Sequence, residues 1–384
     1  MALLASVFLF GCQGVTPDDS ETPGGGSTST PDDSETPGGG STSDLKGTIT
    51  LYADHDIIMA DGSYATELTV LLTDNSGVEH DVTSDVEIYY EGNDTPLTSP
   101  EFKTSVEDEY RFYAVRGFDI SNTVAVRAVK GVPALPKDSE DDATDFRHRM
   151  LLVQHTGNEC PNCPRLMDVL KKLAGDEAYT SKYLHVASHS YKNDDYNDDD
   201  AAYSSAASTL SRALNLPGYY PWLTFNLTTN EALDLAEIKA GIDELHKDVA
   251  DAGIQASAAL VGNTVYANVE LKAAVSSKYR VAVWLLEDNI HSMQSGATAS
   301  WQNMHENCLR AMAGSTKNES IYGKPVGTVE AGESYEFISA MDMDPNWKAE
   351  NCKLVIIAVA GNGDYDLVNC TVCPVGGSVA YDYL

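Results

Sequence analysis

Short runs in which apolar and polar residues alternate dominate the chain from Leu45 to about Val132. Alternation with a period of two places every second side chain on one face, so each run predicts a β-strand with one buried face. The runs are bounded by Asp, Asn, Gly or Ser and recur about every ten residues, which is typical of antiparallel sandwiches. We therefore predict an all-β sandwich at 45–133, with strands near Ile49–Leu51, Ile57–Met59, Leu68–Leu72, Val86–Tyr90, Tyr110–Ala114 and Val124–Ala128.

The periodicity changes beyond Asp145. Met150–Val153 is a continuous apolar run of the buried-strand type, and Leu166, Leu170 and Leu173 recur at helical spacing. Alternating strands and helices predict an α/β domain at 146–252. Its later elements are predicted as a strand at Leu184–Ala187, a helix at Ala201–Leu214, an apolar strand ending at Phe225 and a long helix at Asn230–Val249. A hairpin strand after Phe225 is predicted to be omitted or displaced.

Strand patterns return from Ile254 to the end of the chain and predict a second all-β sandwich at 253–384. Its strands are predicted at Gln255–Leu260, Val265–Leu271, Tyr279–Leu286, Tyr335–Ile338, Lys353–Ala360 and Tyr365–Val372. The acidic stretch 134–145, which carries Pro136, is predicted to be a linker.

The apolar run Met1–Gly11 is about half as long as the roughly 20 residues that a membrane-spanning helix needs. It ends in Leu9–Cys12, which resembles a bacterial lipoprotein signal, although Phe10 stands where a small residue is usual. The resemblance implies a signal at 1–12 and a lipid on Cys12, which would anchor the chain to the outer membrane. The alternative is a frayed apolar N-terminus.

Residues 16–29 recur without change as 30–43, and neither copy contains a large apolar side chain. Such a segment cannot bury enough surface to offset its chain entropy. We therefore predict that 13–44 is a disordered acidic Gly/Ser/Pro tether. Its acidic residues also resemble a signal that sends some lipoproteins to the outer face of the outer membrane, so a periplasmic and a surface-exposed location both stay open.

Composition narrows the classes of partner. The 384 residues include 25 Lys and Arg against 58 Asp and Glu, which gives a net charge of −33. This charge repels phosphate backbones, so we expect no nucleic-acid partner.

The sequence Cys160-Pro-Asn-Cys163 lies between the predicted strand and the predicted helix. Unpaired N–H groups and the helix dipole at a helix N-terminus favour a thiolate, so Cys160 would be the attacking sulfur and Cys163 the resolving one, with Pro161 at the first helical position. Glu159 opposes ionisation of Cys160. The pair is therefore either a slow redox site or a structural disulfide.

The Tyr220-Pro221 step precedes an apolar strand, and Pro221 is a candidate cis-proline. The order of strand, Cys-x-x-Cys, helix, strand, helix, proline and strand resembles a thioredoxin-like domain. In that family such a proline faces the cysteine pair, so the resemblance implies that Pro221 lies beside Cys160 and Cys163.

No metal site or cofactor is predicted. His185 and His189 share one face of a strand but would lie about 13 Å apart, too far for one ion. The acidic stretch Asp194–Asp200 lacks the Gly and the terminal Glu of a calcium loop. The remaining four cysteines, Cys308, Cys352, Cys370 and Cys373, are predicted to form cross-strand disulfides, with free buried thiols as the alternative.

Two further resemblances are carried by local motifs. Residues Ala60–Ser63 and Asp81–Thr83 resemble a bacterial immunoglobulin-like domain. The chain from about 145 to 384 resembles the outer membrane protein 28 related family of lipoproteins, through Cys160–Pro164, Gly218–Pro221, Leu286–Asn289, Gln294–Gly296 and Met304–Arg310.

The family resemblance implies a thioredoxin-like domain followed by a C-terminal β-sandwich, and it implies no defined activity. The resemblance includes His305 and Arg310. A structural role, in which both side chains are buried and tie a loop to the sandwich, would explain these two residues without any substrate. Two functions follow as hypotheses: a binding or scaffold lipoprotein that engages an unidentified envelope or surface protein, or a thiol-disulfide oxidoreductase acting through Cys160 and Cys163.

Replacing Cys12 with Ala should release the protein from membranes, because an acylated cysteine supplies apolar chains that the acidic remainder lacks. Fractionation of cells that produce the full chain, with a high-salt wash, measures this. A Cys12→Ala variant that still pellets with membranes would contradict the lipid anchor.

Overall fold

The computed structural model describes residues 45–384 except 192–199, 231 and 315–320. The predicted signal with Cys12, the predicted tether and all but the last residue of Asp194–Asp200 therefore lie outside the described residues. No helix in the described ranges is long and apolar enough to cross a membrane. The chain divides into two compact units, one ending at Ala128 and one running from Val129 to Leu384.

The first unit consists of two antiparallel sheets. Its strands are β1 (Gly47–Ala53), β2 (Ile57–Met59), β3 (Thr66–Asp74), β4 (Glu79–Asp81), β5 (Glu87–Tyr90), β6 (Glu101–Phe102), β7 (Asp108–Arg116), β8 (Asp119–Ile120) and β9 (Val124–Val129). One sheet has the order β1-β3-β4 with β6 beside β3, and the other has the order β2-β9-β7-β5 with β8 beside β7. Leu51, Leu68, Val70 and Phe112 are fully or almost fully buried in the common core. Alternation of apolar residues along β1, β3 and β7 places these side chains on the inner faces of the sheets.

The second unit contains all three α-helices of the described chain, α1 (Cys163–Ala174), α2 (Ser205–Ala213) and α3 (Leu235–Leu245). Its first strands are β10 (Phe146–Arg147), β11 (Met150–Thr156), β12 (Tyr183–His189), β13 (Trp222–Phe225), β14 (Thr228–Asn230) and β15 (Val249–Ala250). Its later strands are β16 (Ala252–Val261), β17 (Thr264–Ala273), β18 (Ser277–Glu287), β19 (Ile290–His291), β20 (Met304–His305), β21 (Cys308–Met312), β22 (Lys324–Val329), β23 (Ser334–Asp342), β24 (Cys352–Gly361), β25 (Tyr365–Pro374) and β26 (Ser378–Val379).

One nine-stranded sheet runs through this unit in the order β14-β13-β11-β12-β21-β18-β24-β25, with β22 beside β18. The join is a short parallel contact, in which Ala187 of β12 pairs with Cys308 of β21. A second sheet, β23-β17-β16-β26, packs against the β18-β24 side. The segments 146–252 and 253–384, predicted as separate domains, thus share one sheet within one compact unit.

The two faces of the sheet at β11 and β12 pack against different helices. Met150 and Leu152 of β11 pack with Leu170 of α1 and Ile242 of α3 on one face. Leu151 and Val153 point to the opposite face, where α2 packs together with side chains of β18, β21 and β24. A strand covered on both faces must be apolar at successive positions, which is the pattern of Met150–Val153.

The predicted helix Asn230–Val249 is wrong at both ends. The helix α3 begins at Leu235, because the Asp234 side chain accepts from the Glu237 backbone N–H at 2.9 Å while the Glu237 side chain accepts from the Asp234 backbone, a capping box. The preceding residues form β14, a hairpin strand that the sequence analysis did not predict.

The predicted linker 134–145 is held against β17. Lys272, only 5% exposed, donates from Nζ to Asp138 Oδ2 at 3.1 Å and to the Asp141 carbonyl at 2.6 Å. On β16, Ser257 donates to the Pro133 carbonyl at 2.8 Å. These contacts place the segment on the outer face of the second sheet.

The prediction of cross-strand disulfides among the last four cysteines is wrong, because all four are buried free thiols. Their sulfurs lie against different backbone carbonyls: Cys352 contacts Lys348 at 3.3 Å, Cys370 contacts Met150 at 3.3 Å and Cys373 contacts Ala256 at 3.7 Å. Burial raises the pKa of Cys352 to about 12 and that of Cys373 to about 11. These thiols behave as small apolar side chains.

A count of reactive thiols checks this assignment. In a Cys12→Ser variant, four thiols should react with a thiol reagent in guanidinium without reductant, six after reduction, and none in the native protein, where burial excludes the reagent and disfavours thiolate. Two reactive thiols in unreduced guanidinium would reveal a second disulfide and contradict the assignment.

Candidate functional site

The predicted cysteine pair lies at the C-terminal end of β11. Cys160 and Cys163 form a disulfide with Cα atoms 5.5 Å apart. The helix α1 begins at Cys163, and Pro164 rather than Pro161 stands in its first turn. Two turns precede the helix. Cys160 N donates to the Gly157 carbonyl at 3.2 Å and Cys163 N donates to the Cys160 carbonyl at 3.3 Å, so the α-helix begins only at Cys163.

The disulfide is buried: Cys160 is 3% exposed and Cys163 is fully buried. Thiol-disulfide exchange requires an external thiolate to reach one of the two sulfurs. In this conformation neither sulfur is presented to another protein.

A segment of the later chain, Ile290–Asn303, which we call the cover segment, lies over the turn that holds the disulfide. Gln294, 4% exposed, places its side-chain Nε2 within 3.0 Å of the Cys160 carbonyl and 3.1 Å of the Asn158 carbonyl. The Ser295 backbone N–H donates to the same Asn158 carbonyl at 2.6 Å. The carbonyl oxygens of the turn are thus satisfied by the cover segment.

The cover segment also makes a close backbone contact that requires glycine. A Cβ on Gly296 would lie 2.4 Å from the Pro161 carbonyl oxygen, and Gly296 has a φ of +72°. Both features exclude larger residues at this position. Further along, the buried Gln302 donates from Nε2 to the Pro164 carbonyl and to Asp168 Oδ1, each at 3.2 Å, and so binds the segment to α1.

A buried network of polar groups also holds the start of the turn, at Asn158, against Ser292 of the cover segment. Asn158 donates from its backbone N–H to Asp200 Oδ2 at 2.9 Å and from Nδ2 to Ser292 Oγ at 2.9 Å. His189 Nδ1 lies 3.0 Å from the same Asp200 oxygen. Burial opposes ionisation of Asp200, but the adjacent His189 imidazole and the hydrogen bonds outweigh it and lower the Asp200 pKa to about 2.

His305 and Arg310 make structural contacts. The His305 ring donates from Nε2 to the Ser292 carbonyl at 3.0 Å, which ties the chain just after the cover segment to the beginning of that segment. Arg310 donates from Nε to Glu287 Oε2 at 2.7 Å, and both side chains are buried. These roles need no substrate.

The peptide bond between Tyr220 and Pro221 is cis. Trp222, the next residue, pairs with His155 on β11. Because His155 lies five residues before Cys160, the register brings Pro221 to the same end of the sheet as the disulfide. The buried imidazole of His155 bridges this region, with Nε2 at 3.3 Å from Thr224 Oγ1 and Nδ1 at 3.4 Å from Ser211 Oγ.

The other candidates do not form a site for a metal ion. In the described ranges no group of three or more His, Cys, Asp or Glu side chains is arranged to hold one. His185 is held instead by Gln154 and Asn307, at 3.2 and 3.3 Å. Of the acidic stretch Asp194–Asp200, only Asp200 is described.

Sequence reasoning identified the polar island Gln294–Gly296 but not its target, and it missed Asn158, Ser292 and Gln302. Each of these is a neutral polar residue close to an island or motif that had been noted. The contacts of Asn158 with Ser292 and of Gln302 with Pro164 join residues more than 130 positions apart along the chain, so no local pattern connects them.

No family model matches the chain, and no curated protein matches it. Among solved structures, the chain is similar to HBP35 of Porphyromonas gingivalis, with a TM-score of 0.50 and 13% identity over 63% of this chain and 78% of that one. The adhesin InvE of Yersinia pseudotuberculosis has a TM-score of 0.17 at 10% identity, over 88% of this chain and 61% of that one. Domains 4–9 of the surface layer protein SbsC have a TM-score of 0.18 at 13% identity, over 86% of this chain and half of that one. The likeness to HBP35 is a likeness of fold, and the chain is a β-rich protein of two compact units.

Proposed function

We propose that the protein is a binding or scaffold lipoprotein of the bacterial cell envelope, in which the Cys160–Cys163 disulfide is structural. The burial of this disulfide beneath the cover segment carries the proposal. A catalytic pair must present one sulfur to its partner, whereas this pair fixes the turn between β11 and α1 and the backbone surface on which Gln294 binds.

The proposed architecture is an immunoglobulin-like sandwich at 45–133, a thioredoxin-like domain at 146–252 and a C-terminal β-sandwich at 253–384, related to the outer membrane protein 28 related lipoproteins. Strands β11, β12 and β13, the helix α1 after the cysteine pair and the cis bond before Pro221 support the thioredoxin-like part. The signal-like residues ending at Cys12 and the acidic repeats support lipid anchoring to the outer membrane, facing the periplasm or the cell surface. The proposed partner is an envelope or surface protein.

The second candidate function is thiol-disulfide exchange with envelope proteins. The position of the pair at the N-terminus of α1 and at the same sheet end as the cis Pro221 favours it. In this candidate the cover segment must first move away from Cys160. The adjacent Glu159 would still oppose the thiolate after reduction.

Disulfide reduction in the wild type and in a variant that lacks the Gln294 side chain tests whether the cover segment protects the disulfide. Gln294→Ala deletes donors to buried carbonyls, each worth about 1 kcal/mol, so opening of the cover segment should become about tenfold more frequent or more. In dithiothreitol, the wild-type disulfide should be reduced slowly and the variant disulfide at least about tenfold faster. Alkylation with a maleimide polymer, followed by gel electrophoresis, measures the reduction.

Gln255→Ala is the matched control, because it removes a buried amide of the same size from β16. It should leave the reduction rate unchanged. Reduction of the native wild-type disulfide as fast as in guanidinium, together with mixed disulfides trapped by Cys163→Ser, would overturn the structural assignment and support the oxidoreductase.

A further inference from the structure

A cavity of about 410 Å³ lies between α1, the sheet strands β11 and β12, and the chain from Trp301 to Asn307. Its volume falls within the range of about 300–1,000 Å³ that is usual for small-molecule sites. The disulfide is not among its lining residues. The cavity is therefore a feature separate from the cysteine pair.

The sheet face that forms the cavity is polar where a helix-covered face is normally apolar. On β11, Met150 and Leu152 pack against α1 and α3, but Gln154 and Thr156, on the same face, line the cavity. On β12, His185 and His189 likewise line the cavity at positions where a helix-covered face would normally carry apolar residues. Polar residues that break a local packing pattern are expected at functional sites.

One of these polar groups lacks a partner. Thr156 is 2% exposed, and its hydroxyl Oγ1 has no hydrogen-bond partner within the described part of the chain. A buried hydroxyl without a hydrogen bond costs about 1–3 kcal/mol. A ligand that bonds to this hydroxyl would recover that energy.

Apart from His189, which pairs with the buried Asp200 carboxylate at 3.0 Å, the interior of the cavity has no charged side chain. His185 donates from Nε2 to Gln154 Oε1 and accepts at Nδ1 from Asn307 Nδ2, and burial lowers its pKa to about 4. Burial also lowers the pKa of His305 to about 4. The charged lining residues, Lys171 and Glu306, are both exposed at the mouth.

Rings and thioethers supply much of the lining. Trp301 lies under the Lys171 ammonium, which is 3.9 Å from the ring centroid. Tyr183 and the imidazoles add further ring surfaces, and Met167 and Met304 add sulfur atoms. Such surfaces favour contact with a flat aromatic molecule over an aliphatic one.

We infer that this cavity binds an uncharged heteroaromatic molecule of one or two fused rings, with a hydrogen-bonding edge that pairs with the Thr156 hydroxyl. The inference rests on the proposed binding function and gives it a class of ligand. An anion would meet one exposed lysine in a chain of net charge −33. A cation would find no free carboxylate inside the cavity, because Asp200 is paired with His189 and Glu306 is exposed at the mouth.

Indole, an uncharged fused-ring probe with one N–H, tests the inference on the full chain. We expect saturable binding by calorimetry with a dissociation constant below about 1 mM, and at least about tenfold weaker binding of indole-3-acetate, which carries a carboxylate. Saturation-transfer NMR measures the same contact independently. No saturable binding of indole below this concentration, or equal affinity for both probes, would overturn the inference.

Two variants locate the binding. Thr156→Val keeps the shape of the side chain and removes the hydroxyl, so it should weaken indole binding about tenfold, whereas the control Thr371→Val, on β25, should not change it. Ala174→Trp, at the exposed last residue of α1, should block the mouth and abolish binding. Unchanged affinity in either Thr156→Val or Ala174→Trp would overturn the inference.

The outcome is distinguishable from a failure of the proposed function. The disulfide reduction rates of wild type and Gln294→Ala test whether the cysteine pair is structural, and they do not depend on the cavity. If indole does not bind but the wild-type disulfide is reduced slowly, the proposed class of ligand is rejected and the structural role of the disulfide is not.

Discussion

The addition of β21 to the edge of β12 sets the geometry of the larger unit. The direct contact is small, a parallel pairing of Ala187 with Cys308 and a hydrogen bond of 2.9 Å from Ala187 N to the Asn307 carbonyl. It continues the sheet of β11, β12 and β13 into β18 and β24. Side chains from both parts then share one core, in which Leu151, Val186 and Trp284 are all buried. The large apolar area behind the pairing, rather than the pairing itself, supplies the stabilisation.

This arrangement also decides the chemistry available to the cysteine pair. The strands β18 and β21 are antiparallel neighbours in the sheet, and the long chain that connects them passes over the turn that contains Cys160. Gln294, Ser295 and Gly296 then satisfy or contact the carbonyls of the turn. The Cys-x-x-Cys spacing suits both a redox pair and a structural disulfide, so access to the sulfur distinguishes them. Here the hydrogen-bonded cover segment limits access to the sulfurs, and the turn that holds the disulfide forms the surface that the cover segment contacts.

The same connecting chain, from Trp301 onward, lines the cavity together with α1. Near its N-terminus, α1 is bound to the cover segment by Gln302 through Pro164 and Asp168, while its later residues, Leu170 and Ala174, face the cavity. The sheet beneath carries Thr156 and the imidazole of His185 instead of aliphatic side chains. The disulfide and the cavity thus share one helix and one segment of chain. The first is a buried covalent bond, and the second is a cavity lined by rings and thioethers with polar groups on its sheet face.

The sequence by itself indicated most of the longer strands of both β-rich regions, because alternation over five to ten residues is a local signal that burial on one face enforces. It did not indicate β21 and β22, nor the strands of two or three residues other than β2. It also located the buried run Met150–Val153, the cysteine pair before α1 and the proline before β13. It missed the start of α3, although Asp234 and Glu237 carry a local capping signal. Only the tertiary structure decided that Cys370 and Cys373 stay unpaired, that β21 joins β12, and that Gln294 closes over Cys160. These outcomes depend on contacts between residues more than 100 positions apart, whose energies arise from burial and hydrogen bonding after the sheet has formed, and no periodicity along the chain encodes them.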